Sequence, residues 1–189
     1  MDVLEHMKGM SPDRFLAIYK SLERQGFGPL DGDVARSLRF RPQAIRKLPM
    51  EQRAKRARML VETSKNANLA YELVGGYLMK TQKELVIGFL EATGVPHKDG
   101  MIEDIEGAKP KSEAIAGAVE ELDRKFAPED VTLYLVLCAD QWPTEKVFAE
   151  LLARRLGAGP SASTTSASTS APSTGPEAAA ARSPGRKQA

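Results

Sequence analysis

Residues 69–94, LAYELVGGYLMKTQKELVIGFLEATG, form the longest run in which apolar residues recur at helical spacing. The pattern predicts two linked helices at the centre of an all-α domain. Leu69, Leu73, Val74, Tyr77 and Leu78 make the buried face of the first; Leu85, Val86, Phe89 and Leu90 make that of the second, which stops at Gly94. Thr81-Gln-Lys-Glu84 has the S/T-x-x-E form of a capping box, placing the break near Lys80. One continuous helix is the alternative. Gly75-Gly76 lies inside the first helix, where each glycine costs roughly 1 kcal/mol relative to alanine. A second helix crossing closely at the pair would account for it, as would a kink.

Upstream, Ser11-Pro12-Asp13 combines an N-cap, a proline at the first helical position and an acid in the first turn. Phe15, Ile18, Tyr19 and Leu22 follow at i, i+3, i+4 and i+7, and Gly26 ends the helix. The glycine-rich loop 26–33 lacks the Gly-Lys-Ser/Thr of a P-loop and the further ligands of an EF-hand, so it reads as a connector. Short helices are expected over 34–39 and 42–48. A longer one follows Pro49, with Met50, Ala54, Ala57 and Val61 on its apolar face and Arg53 and Arg56 flanking it. Asn66 is the expected cap of the next helix.

Downstream, 95–110 is irregular and punctuated by Pro96, Gly100, Gly107 and Pro110, with a turn of helix expected over 102–106. Ser112 caps a helix burying Ile115, Ala118, Val119, Leu122 and Phe126. The run VTLYLVLCADQ after Pro128 is apolar all round, and periodicity alone leaves 131–138 open as helix or buried strand. Proline and acids at its start, with no partner strand in the sequence, favour a helix. Pro143 opens a last helix burying Val147, Phe148, Leu151 and Leu152, stopped at Gly157. Beyond it no Leu, Ile, Val or aromatic residue occurs, so nothing offsets the entropy of ordering that segment.

The formal net charge of +2 conceals an asymmetry. Residues 1–70 carry 14 Lys/Arg against 8 Asp/Glu; residues 71–157 carry 10 against 16. Nine of the cations lie between Arg36 and Arg58, against the single acid Glu51. Arg36, Arg39, Arg46, Arg53 and Arg56 are the candidate binding residues there for an anionic partner. Phe40 is the only aromatic in that stretch, so stacking on single strands is unsupported. A solvated basic face, or one docking on the acidic half of the same or a second chain, is the plainer reading.

Catalytic signatures are sparse. There is no GxSxG or HExxH, and the lone Cys138 sits in an apolar run that suits a buried thiol. His97, Asp99, Glu103, Asp104 and Glu106 share one loop, where an imidazole among carboxylates would suit a metal or general base. The unspaced acids fit a solvated loop better. No leader is evident at the N-terminus and no run is long enough to cross a bilayer.

These features predict an all-α chain: a single irregular helical domain of about seven or eight helices over 1–157, then a disordered Ala/Ser/Thr/Pro-rich tail over 158–189. The expected function is a non-enzymatic protein–protein interaction or accessory module, cytoplasmic, without cofactor or membrane, its partner another protein or a second copy. A nucleic-acid-associated protein using 36–58 is the alternative, and an enzyme or metal protein at His97 ranks third.

Overall fold

A computed structural model describes residues 2–24, 32, 35–36, 41–63, 67–104 and 107–157, with backbone alone at 23, 24, 42 and 43. The described residues belong to one unit, Met1–Gly159. Among them are nine helices: α1 (Val3–Gly9), α2 (Pro12–Arg24), α3 (Pro42–Arg46), α4 (Met50–Thr63), α5 (Asn68–Thr81), α6 (Lys83–Thr93), α7 (Ser112–Lys125), α8 (Pro128–Gln141) and α9 (Lys146–Gly157). No strand occurs among these residues, and the one β-type pairing is an isolated bridge between Lys98 and Met101. No described helix is long and apolar enough to cross a membrane.

The 69–94 stretch is a helix pair, α5 and α6, and 131–138 is helical within α8. Together they supply much of the core. Leu73, Leu85, Phe89, Leu135 and Val136 are fully buried. The Phe89 ring meets Tyr134 edge-on at 5.2 Å, and Phe148 stacks on Trp142 at 6.1 Å. Burial on almost every side of α8 explains why its sequence shows no polar face.

Several local expectations are redrawn. Helix α1 precedes the first one predicted; Asp2 caps it by accepting the Glu5 N–H at 2.8 Å, and Val3, Leu4 and Met7 are buried. Thr81 does not open a capping box. It is the last residue of α5, and its hydroxyl donates back to the Tyr77 carbonyl. The break falls at Gln82 (φ −125°, ψ 31°), whose N–H bonds to the Leu78 carbonyl at 2.9 Å and whose carbonyl accepts from Leu85 N–H at 3.0 Å. Ser112 is the first residue of α7 rather than its cap, its hydroxyl donating across to Glu145 before α9. Ser11 caps α2 as predicted, accepting the Arg14 N–H at 3.2 Å. Gly94 closes α6 in the left-handed conformation, φ 72°. Residues 102–104 form no helical turn; Asp104 instead accepts the Gly107 N–H at 3.0 Å. The proposed caps Gly26 and Asn66, most of 34–39, and the tail 158–189 lie outside the described residues.

Candidate docking groove

The Gly75-Gly76 pair does not mark a close helix crossing at Gly75. A Cβ placed there would meet nothing within 4 Å. The space opens into a groove of about 330 Å³ between α5, α6, α8 and the 98–102 loop. Met79, Met101, Ile102 and Leu137 give it an apolar lining. Met101 is 60% exposed. Methionine suits a surface that must accommodate another apolar surface, because its unbranched, polarisable side chain adapts to shape.

The loop that presents Met101 is a tight reversal. Lys98 N–H donates to the Met101 carbonyl at 2.8 Å, and Met101 N–H donates back to Lys98 at 3.0 Å. Between them Asp99 and Gly100 both have positive φ, 58° and 87°. Two residues of that handedness in sequence, Asp then Gly, make the type I′ turn that joins two antiparallel residues. His97 Nδ1 accepts the Gly100 N–H at 3.2 Å, and the Lys83 ammonium pairs with Asp99. The loop therefore holds Met101 and Ile102 in place beside the groove through local bonds.

The structure brings His97, Glu103 and Asp104 to one cavity. Loop backbone takes one acceptor atom of two of them, His97 Nδ1 and Asp104 Oδ1. Asp99 serves turn and ion pair. Among the described residues no three His, Cys, Asp or Glu side chains gather in a metal-holding arrangement; Glu106 lies outside them.

The basic segment divides. Arg36 and Arg46 are exposed, Arg56 is half-buried and Arg39 lies outside the described residues. Arg53 is buried at 7% exposure, its Nη2 4.0 Å from Met50 Sδ. Its position explains this: 50, 53, 54, 57 and 61 follow the i, i+3, i+4, i+7, i+11 rows of one helix face. Arg58 pairs with Glu62 at 2.7 Å and Lys20 with Glu51 at 3.6 Å, so acids interrupt the cations on α4.

A larger groove of about 650 Å³ runs between α1, α2, α8 and α9, with His6, Arg14, Thr132 and Arg155 among its walls. Its guanidiniums are committed: Arg14 to Asp130, Arg155 to Asp123 and, at 3.4 Å, Thr132. Burial holds the His6 imidazole below its ordinary pKa and so favours the neutral form. Behind the groove, buried Asp130 also accepts Tyr77 Oη–H at 2.8 Å and Gln82 Nε2–H at 3.0 Å, while Arg14 lies over the Tyr77 ring at 5.5 Å. This network ties α2, α5, the Gln82 break and α8 together. Cys138 is buried with its thiol pushed well up by burial, which removes it as a nucleophile.

Comparison with known proteins finds no matching family model, no matching curated protein and no matching solved structure.

Proposed function

We propose that this chain is a non-enzymatic interaction module whose methionine-lined groove receives an apolar side chain from a helical segment of a protein partner. The carrying observation is the groove itself: open space above Gly75, an exposed Met101, and a bonded loop that holds the rim in shape. An amphipathic helix laying one or two apolar anchors into such a groove is a recurrent recognition mode. All the lining residues named fall in the half of the chain with 16 acids against 10 cations, so a segment with basic flanks is favoured.

The test is affinity capture with wild type beside Gly75→Phe, which fills the groove, and Met101→Asp, which places a charge on its rim. A protein retained by wild type and lost from both variants, with helical content and cooperative unfolding retained, is the expected result. Equal capture by all three sinks the proposal. Nucleic-acid binding through 36–58 is the weaker reading, since Arg53 is buried and Glu51 and Glu62 interrupt α4.

A further inference from the structure

Met59 on α4 is 55% exposed, and it belongs to the basic half of the chain. Lys55 and Arg56 precede it by one helical turn and share its side of α4, with Lys55 exposed and Arg56 half-buried. This is an exposed apolar side chain with two cations one turn before it on a regular helix, and one acid, Glu62, one turn after it, already paired with Arg58. The groove is an apolar socket with acids beside it: exposed Glu72 stands one turn before Gly75 on α5 and exposed Glu103 follows Ile102, while Lys98 on the same loop is exposed and Lys83 is paired with Asp99.

We infer that the occupant of the groove is α4 of a second copy of this chain, with Met59 inserted over Gly75 and Lys55 and Arg56 facing Glu72 and Glu103. The inference rests on the docking reading of the groove. Charge carries the choice of partner: 14 cations against 8 acids in residues 1–70 face 10 against 16 in residues 71–157, so unlike halves of two copies attract and like halves repel. Anchor and socket share no residue. The contact is made once per pair, head to tail, or twice about a two-fold axis, each copy's anchor then filling the other's socket. So small a contact belongs with weak, transient interfaces.

Sedimentation equilibrium on the full chain, up to roughly 1 mM, reads this directly. Wild type is expected to rise above its 20.6 kDa monomer mass with concentration. It is expected to return towards it in 1 M salt, where the Debye length falls to about 3 Å. Met59→Asp and Gly75→Phe should each be monomeric alone, yet form a two-chain species when mixed, since one keeps an intact groove and the other an intact anchor. Lys55→Glu with Met101→Asp repeats the complementation should either first variant lose its helical signal. A wild type that stays monomeric, single variants that still associate, or a mixture that stays monomeric each overturns the inference. So does association abolished by nuclease, which would assign the basic face to nucleic acid. A monomeric wild type with groove-dependent capture intact overturns only the second-copy occupant; loss of both overturns the groove reading as well.

Discussion

Asp130 shows how much one side chain can hold. It is 5% exposed, pairs with Arg14 and accepts from Tyr77 and Gln82. Asp130→Ala leaves a partly buried guanidinium without its counter-charge and the Tyr77 hydroxyl without its acceptor. A loss of about 3 kcal/mol in denaturant unfolding is expected, with Asp130→Asn, which keeps an acceptor, losing less. Gly75 points the other way. In a helix interior with empty space at the Cβ position, Gly75→Ala should stabilise by about 0.5–1 kcal/mol. The same methyl intrudes on the groove, so raised stability with weakened docking is the combined expectation from thermal melts and capture. Arg53 was legible as buried: it sits on the Ala54–Ala57–Val61 stripe, and its charge drew it into the candidate binding set instead. Asp130 was not, because its partners lie 116, 53 and 48 residues away.

At the scale of elements, the Gln82 break shows tertiary contact overruling a local signal. Thr81 to Glu84 has the letters of a capping box, yet Gln82 carries the junction because its side chain is drawn to Asp130 and Tyr77. The 98–101 reversal was written in the sequence as Asp-Gly, the usual dipeptide of a type I′ turn. What hid it was the acidity of 97–106, which suggests chemistry before it suggests geometry. Gly100→Ala tests the turn: φ 87° disfavours any side chain, and a Cβ there meets Met79 Cε at 3.3 Å. A cost of about 1–2 kcal/mol is expected, together with loss of groove-dependent capture.

Across the whole molecule, three phenols titrate late. Burial, then the hydrogen bond to Asp140, pushes Tyr71 up to about 12, and burial raises Tyr77 and Tyr134. A phenol whose pKa is higher folded than unfolded favours the fold below its unfolded value near 10, and that contribution is lost as pH rises through the folded value. Stability should therefore fall from about pH 10 to 12, more gently in Tyr71→Phe, as equilibrium unfolding at stepped pH would show.

The predominance of helix, the apolar faces of α5 and α6, the caps at Ser11 and Gly94 and the opposed charge of the two halves were determined by sequence alone. Periodicity, propensity and charge are properties of neighbours along the chain, and these features rest on them. The tertiary structure decided that Asp130 joins α2, α5 and α8, that His97 and Asp99 serve a turn, and that Gly75 faces an opening. Each depends on which segments meet in space, and a distance between residues far apart in sequence is set by packing.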